Sequence, residues 1–193
     1  MKHLIVYVNP EIESFSHRIL ETVKDYSLEK GHEVEVRDLY SMNFNPVLSL
    51  EEIKALDKDG SVPDDVKREQ EYLDWAEVVT FIYPIWWQIP AMMKGYFDRV
   101  FSYEYAYIYT EDGPKGLLGD KKVFRLNPMG THREVYEKNG LRRDYESVID
   151  EGILQSTGMK VVESRLFGPS PRNNKELGDK YLQEVKTIIS QVL

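Results

Sequence analysis

The sequence contains no cysteine among its 193 residues. This excludes a disulfide framework, a thiolate nucleophile and a zinc site built on sulfur. The four histidines are scattered along the chain rather than spaced as metal ligands, so we expect no metal site. Any redox chemistry must therefore depend on a bound organic cofactor.

Long apolar runs are also absent. No segment approaches the ~18 consecutive apolar residues of a membrane span. The first apolar run stops at Asn9 and Pro10, which makes it too short for a signal peptide. We expect a cytoplasmic protein without membrane insertion.

Positive charge is in deficit. The chain has 25 Lys and Arg against 33 Asp and Glu, a formal net charge of -8. A long nucleic-acid backbone would be repelled, so we expect no nucleic-acid partner. A small anionic ligand can still bind where the N-terminus of a helix supplies local positive potential.

The motifs GxGxxG and GxxxxGK[ST] are missing, so nothing supports a standard dinucleotide fold or a P-loop. Instead, strand-like and helix-like segments alternate. Strands are predicted at 4–8, 32–40, 77–84, 121–127 and 160–167, and helices at about 16–31, 63–75, 90–102, 141–157 and 175–192, with a long irregular segment before residue 63. This alternation predicts a single α/β domain over residues 1–193 with a doubly wound parallel sheet of about five strands.

Sheets of this kind bind ligands at the carboxyl ends of their strands, which here selects the loops 9–16, 84–90 and 127–136. In the first loop, Ser14, Phe15 and Ser16 begin a helix whose free N–H groups and hydroxyls could hold a phosphate. The residues alone leave open that Ser14 or Ser16 only caps the helix.

The second loop carries Trp86 and Trp87 between two prolines, where the chain leaves a strand and starts a helix. A planar ligand could stack there, and backbone N–H groups of the same turn could bond its ring heteroatoms. The tryptophans could equally pack a dimer interface or a neighbouring helix.

The segment SYEYAYIYT at 102–110 is rich in tyrosine. If it is extended, Tyr103, Tyr105, Tyr107 and Tyr109 lie on one side and could cover a planar substrate. The alternatives are an edge strand or a subunit contact.

In the third loop, Gly130 would let the backbone approach a ligand ring. Tyr136 or His132 could donate a hydrogen bond to charge developing on that ring. A polar turn with an incidental histidine fits the same residues.

Together, these segments resemble the flavodoxin-like NAD(P)H:quinone oxidoreductases, the family of DT-diaphorase and of the ancillary quinone reductases of potassium-efflux antiporters. The resemblance runs nearly from end to end and rests on MNFNP at 42–46, DDVKREQEYLDWAEVV at 64–79, PIWW at 84–87, PAMMKGYFDRVF at 90–101, EYAYIY at 104–109 and YEKNGLR at 136–142. It implies a flavodoxin-like sheet in strand order 2-1-3-4-5. It also implies FAD as cofactor, with FMN as second choice, in a homodimer. That homodimer would pass hydride from NAD(P)H through the flavin to a quinone or similar small acceptor in a two-electron, ping-pong cycle.

The resemblance also implies site residues at matching positions. The cofactor-binding positions are Asn9, Ser14, Phe15 and Ser16 at the phosphates, Pro84, Ile85, Trp86, Trp87 and Gln88 along the ring, and Pro128, Met129, Gly130, Thr131 and Tyr136 at its polar edge. Tyr107 and Tyr109 of a partner subunit would shape the acceptor pocket. Tyr136 and Arg142 are the catalytic candidates, one as hydrogen-bond donor and the other as a cation near the reduced flavin.

Some positions depart from the family pattern. Asn9 stands where the family usually has His, and Arg142 stands where the mammalian enzyme has a His that manages protons. An arginine can stabilise negative charge but can hardly relay a proton at neutral pH. The loop 84–90 is one residue shorter, and the turn 128–131 replaces Thr-Thr-Gly-Gly. These departures affect the acceptor more than the flavin.

Two alternative functions follow from the same resemblance. One is a flavin-binding regulatory subunit of a potassium-efflux antiporter, and the other is an azo- or nitroreductase. A one-electron carrier is disfavoured, because a carrier needs an exposed flavin edge and the aromatic segment 102–110 would cover it.

Overall fold

The apolar runs of the sequence become the strands of one parallel sheet. In the computed structural model, which describes residues 1–193, the strands are Lys2–Tyr7 (β1), Glu33–Asp38 (β2), Val78–Ile82 (β3), Tyr107–Thr110 (β4), Gly113–Gly116 (β5), Lys122–Pro128 (β6) and Lys160–Phe167 (β7). Five of them form the sheet in the order β2-β1-β3-β6-β7, with every neighbouring pair parallel. β4 and β5 form a separate antiparallel hairpin. When only the sheet strands are counted, this order is consistent with the predicted 2-1-3-4-5.

Helices connect the strands. They are Phe15–Glu29 (α1), Leu50–Asp59 (α2), Asp64–Trp75 (α3), Ala91–Val100 (α4), Arg133–Lys138 (α5), Leu141–Glu146 (α6) and Lys175–Ile189 (α7), and a π-helical segment at Ser147–Gln155 continues α6. None of these helices has both the length and the apolar character needed to cross a membrane. The alternation of strands and helices confirms the predicted α/β class.

The sheet buries an apolar core on each face, because successive side chains of a strand point to opposite sides. Along β1, Leu4 and Val6 belong to one core, whereas Ile5 and Tyr7 belong to the other. Residues of α3, α4 and the π-helical segment cover the first core, and residues of α1 and α7 cover the second. This two-sided packing holds the carboxyl ends of the strands in fixed positions.

The prediction of an irregular segment before residue 63 is wrong for residues 50–59, which form α2. Ser49 and Glu52 make a capping box: the Ser49 Oγ accepts from the Glu52 N–H at 3.1 Å, and the Glu52 carboxylate accepts from the Ser49 N–H at 2.8 Å. Gly60 ends the helix in a left-handed conformation, with φ of 71°. No side chain of α2 is fully buried. Leu50, Ile53 and Leu56 do recur at helical spacing, so the sequence contained a signal for this helix that the prediction missed.

A buried arginine fastens α2 to its neighbours. Arg99 of α4 donates to Glu52 of α2 (Nε to Oε1, 2.8 Å) and to Asp65 of α3 (Nη1 to Oδ2, 2.6 Å). It also donates to the carbonyl oxygen of Asn45 at 2.8 Å. These bonds join α2, α3 and α4.

The aromatic segment 102–110 is extended only in its second half, which is β4. Tyr103, Tyr107 and Tyr109 lie together, with ring centroids 5.7 to 6.0 Å apart. Tyr105 turns away from them, and its hydroxyl donates to the carbonyl oxygen of Gln70 at 2.9 Å. The expectation that all four tyrosines share one side is wrong for Tyr105, because the chain turns before β4 and α3 supplies an acceptor for its hydroxyl.

Candidate active site

Four loops meet at the carboxyl end of the sheet and enclose a cleft of about 360 Å³. They follow β1, β3, β6 and β7. Twelve of the predicted residues line the cleft, namely Asn9, Ser14, Phe15, Ser16, Pro84, Ile85, Trp86, Pro128, Met129, Gly130, Thr131 and Tyr136. Ser170 and Arg172 complete the lining. The three loops selected from the sequence therefore come together, and a fourth joins them.

The loop after β1 enters α1 with two unpaired N–H groups. Ser14 caps the helix, since its Oγ accepts from the His17 N–H at 3.2 Å. The N–H groups of Phe15 and Ser16 have no acceptor in the protein. The Asn9 amide donates to the Ser16 hydroxyl at 3.1 Å and fixes its position. The N-terminus of α1, a helix of 15 residues, carries partial positive charge. This end of the cleft therefore suits an anion such as a phosphate.

Strand pairing continues past β3 and β6 into the wall of the cleft. The N–H of Ile85 donates to the carbonyl oxygen of Pro128 at 2.8 Å, and Ile85 pairs in parallel with Met129. Ile85 and Met129 are buried and make this wall apolar. At Gly130, no atom lies within 4 Å of the place that a Cβ would occupy, and the N–H groups of Gly130 and Thr131 are unpaired. An apolar wall beside bare backbone suits the face and edge of a flat ring.

The rest of the loop after β3 turns outward. Trp86 lines the cleft and is 53% exposed, whereas Trp87 is 96% exposed and lies outside the lining. Gln88 also lies outside and has a left-handed backbone, with φ of 62°. Any contact of Trp87 or Gln88 with a ligand therefore remains a prediction.

Tyr136 and Arg142 occupy different surroundings. Tyr136, in α5, lines the cleft and packs against the core. Arg142, in α6, lies outside the lining, and it donates to Glu146 (Nε to Oε1, 2.8 Å) and to Glu137 (Nη1 to Oε1, 3.1 Å). The hydrogen bond to Glu146 is the main cause that raises the pKa of Arg142 above its ordinary value. The arginine is thus a fixed cation, and its catalytic role remains a prediction.

Tyr107 and Tyr109 do not line the cleft of their own chain. Tyr107 lines a separate cleft, with Lys94 of α4 and Ile153 of the π-helical segment, and burial raises its pKa. Tyr109 is 68% exposed. Their predicted place in an acceptor pocket would require a second copy of the chain.

The sequence reasoning missed Ser170 and Arg172, which lie in the loop after β7. The Ser170 N–H donates to the carbonyl oxygen of Met129 at 2.7 Å and joins this loop to the turn after β6. Arg172 is exposed and brings a positive charge to the cleft. The strand-end rule would have found both residues if it had been applied to the predicted strand at 160–167.

The two kinds of surface in the cleft suit a ligand with two kinds of parts. The free N–H groups at the start of α1, together with Arg172, suit a phosphate. The wall of Ile85 and Met129, with the bare backbone at Gly130, suits a flat ring. A flavin nucleotide combines both parts, so the residues present fit such a cofactor.

Known proteins resemble this chain over most of its length. A family model described as flavodoxin-like fold matches residues 1–189. A Haemophilus influenzae protein described as an uncharacterized NAD(P)H oxidoreductase is 37% identical over 171 residues, which is 87% of this chain and 84% of that protein. NAD(P)H dehydrogenase (quinone) 1 of Rattus norvegicus is 32% identical over 183 residues, covering 84% of this chain and 67% of the rat protein.

A solved structure shows the same agreement in three dimensions. The NAD(P)H:quinone oxidoreductase from Methanothermobacter marburgensis has a TM-score of 0.88 against this chain at 35% sequence identity. The superposition covers 97% of this chain and 96% of that one.

Proposed function

This chain is an oxidoreductase of the flavodoxin-like fold family, and from that premise we propose that it binds a flavin and oxidises NAD(P)H with a quinone or a similar small acceptor. We propose FAD as the cofactor, with FMN as second choice. A bound flavin would supply two-electron redox chemistry that lets NAD(P)H and the acceptor react in turn at one cleft. The relatives named as quinone reductases support this choice of acceptor.

The observation that carries the proposal is the meeting of an anion site and an apolar wall in one cleft. The unpaired N–H groups of Phe15 and Ser16 would bind a flavin phosphate. Ile85 and Met129 would pack against the ring, and Gly130 would leave room for its edge. The chain as a whole carries a net charge of -8, which repels anions. The positive charge of Arg172 would offset this repulsion at the cleft and favour an anionic cofactor there.

Two residues are proposed to act on charge that develops during the reaction. Tyr136 lines the cleft, and its hydroxyl would donate a hydrogen bond at the edge of the ring. Arg142 would reach the cleft only by leaving Glu137 and Glu146, so we place it second to Tyr136. In either position it would stay protonated and would stabilise negative charge rather than relay a proton.

We further propose that the active unit is a homodimer. Trp87 and Tyr109 are 96% and 68% exposed, and large aromatic side chains left in solvent are typical of contact surfaces. Tyr107 and Tyr109 lie outside the cleft of their own chain, so only a second copy could bring them to an acceptor. One chain has a mass of 22.6 kDa, and light scattering should give a molar mass twice that value. A monomer at micromolar concentration would contradict the dimer.

The decisive experiment identifies the cofactor before activity is measured. Purified protein should show an absorbance band at about 450 nm, and the released cofactor should have the mass of FAD or FMN. The holoprotein should then oxidise NADH or NADPH in the presence of a quinone. Protein that carries no flavin, and takes up neither FAD nor FMN on reconstitution, would refute the proposal. Flavin binding with turnover only on azo or nitro compounds would change the acceptor and leave the cofactor site intact.

A further inference from the structure

Two polar residues interrupt the apolar inner side of β6. Val123, Arg125, Asn127 and Met129 alternate along the same side of the chain, and the first and last belong to the core beneath α3 and α4. Arg125 and Asn127 are both 0% exposed. A charge removed from water is costly unless it is paired, so a buried arginine in this sheet must have specific partners.

Those partners form one connected group. Arg125 donates to both carboxylate oxygens of Asp150, at 2.6 Å from Nε and 2.7 Å from Nη2, and its Nη1 donates to the Asn127 Oδ1. The Asn127 amide donates to the carbonyl oxygen of Tyr83 at 2.8 Å. The Tyr145 hydroxyl donates to the Tyr83 hydroxyl at 3.2 Å, and the Tyr145 ring lies 4.8 Å from the Arg125 guanidinium carbon. We call these five residues the Arg125 network.

The network lies directly beneath the elements that form the cleft. Tyr83 precedes Pro84, which begins the loop after β3, and Asn127 precedes Pro128, which begins the turn after β6. Tyr145 belongs to α6, which follows the helix that carries Tyr136. Asp150 comes from the π-helical segment, and π-helical turns are frequent at functional sites.

Stability alone does not account for this arrangement. The desolvation of a buried ion pair offsets most of its attraction, so such a pair is weak evidence for a stabilising role. A fully satisfied polar network instead restricts its members to one geometry. Asn127 shows this directly: its oxygen accepts from Arg125, so its amide nitrogen must face the carbonyl oxygen of Tyr83.

We propose that the Arg125 network positions the two cleft segments that would hold the flavin ring, with Asn127 as the residue that joins them. This inference rests on the proposed flavin binding for its effect on function. The network sets the separation of Tyr83 and Asn127, and through them the placement of Ile85 and Gly130 in the cleft wall. Loss of the network should loosen these segments while the rest of the sheet remains folded.

The test replaces the ion pair by apolar residues, as Arg125→Met with Asp150→Val, so that neither charge is left buried alone. In the apoprotein, the backbone amides of Ile85 and Met129, which donate to the carbonyl oxygens of Pro128 and Phe167, should exchange with solvent about tenfold faster than in the wild type. The dissociation constant for the flavin extracted from the wild type should rise by about tenfold, the scale on which supporting residues tune a site. Amides at the middle of β1 should exchange as in the wild type. Arg125→Lys keeps a charge opposite Asp150 but cannot donate two parallel hydrogen bonds to its carboxylate. It should therefore raise amide exchange and the flavin dissociation constant by less than the double variant does.

Arg99→Met is the matched control, because it also removes a buried arginine that binds a carboxylate, but neither Arg99 nor its partners line the cleft. It should lower stability without changing flavin affinity or exchange in the two cleft segments. Wild-type exchange and affinity in the double variant would overturn the proposal, as would an equal loss of affinity in Arg99→Met. If the double variant does not fold, Arg125→Lys decides by the same two measurements. A wild type that binds no flavin would refute the proposed function, and the apoprotein exchange would still test the network.

Discussion

Replacing His3 is expected to make the folded protein less sensitive to acid. His3 is buried in β1 with Nδ1 at 2.9 Å from the Ser27 hydroxyl and Nε2 at 2.7 Å from the Thr80 hydroxyl. Ser27 donates its own proton to the carbonyl oxygen of Val23, so it accepts from Nδ1, and Thr80 donates to Nε2. Nδ1 donates in either charge state, but Nε2 can accept from Thr80 only while the imidazole is neutral. Burial lowers the pKa of His3 from 6.5 to about 3.

The sign and size of the effect follow from proton binding. Unfolded His3 binds a proton as the pH falls below 6.5, whereas folded His3 does so only near pH 3, so acid favours the unfolded state between these values. The stability contribution is fully present above the unfolded pKa and is lost as the pH falls. Linkage gives a loss of free energy of unfolding of about 2 kcal/mol at pH 5 and about 3 kcal/mol at pH 4, relative to pH 8.

The assay compares urea unfolding of the wild type and His3→Gln at pH 8, 5 and 4. Glutamine does not titrate, so the variant should lose about 2 kcal/mol less than the wild type between pH 8 and pH 5, even if it is less stable at pH 8. His132→Gln, at a mostly exposed side chain, controls for the loss of one imidazole. Parallel falls in stability for wild type and His3→Gln would refute the reasoning, as would direct titration of the folded His3 imidazole near pH 6.5.

The remaining predictions concern the cleft and the Arg99 bonds. Gly130→Ala should fold like the wild type, because the added Cβ meets open space. It should raise the flavin dissociation constant about tenfold, because the methyl group crowds the ring. An unchanged affinity in a flavin titration would place the ring elsewhere. Gly168→Ala would place a Cβ 2.1 Å from the Thr131 carbonyl oxygen, so thermal unfolding should show a loss of about 1 to 3 kcal/mol, and an unchanged midpoint would contradict the packing. Arg99→Met should lower the free energy of unfolding in urea by about 2 to 4 kcal/mol, because it leaves the part-buried Glu52 without its cation. A loss well below about 1 kcal/mol would show that other contacts hold α2 in place.

Much of the fold could be predicted because β1 and β3 are nearly continuous apolar runs, β2 alternates polar and apolar residues, and α1 and α7 each bury one apolar side. The position of the cleft followed from a general rule about strand ends, without knowledge of any contact. α2 was missed although its capping box at Ser49 and Glu52, and Leu50, Ile53 and Leu56 at helical spacing, could have revealed it. Tyr105 could not be placed, because its direction depends on the carbonyl oxygen of Gln70, which is 35 residues away in the chain.

The Arg125 network could not be predicted from the sequence for a different reason. The letters KVFRLNP indicate a strand with two polar residues, but they do not indicate whether Arg125 faces solvent or a partner. Asp150 lies 25 residues further along the chain, and it meets Arg125 only because the π-helical segment packs on that face of the sheet. Pairing of this kind is a property of the assembled layers, so a single sequence without an alignment does not show it.

The hydrogen bond from Ile85 to Pro128 divides the loop after β3 into two parts that differ in their tolerance of length changes. An insertion before Ile85 would shift its register against β6 by one residue and turn its side chain away from the cleft. Beyond Ile85 the chain crosses exposed surface at Trp87 and Gln88, where residues can be added or removed without moving the apolar wall. Related chains can therefore diverge in the length of this outer part, and in what it contacts, while the inner part keeps its spacing.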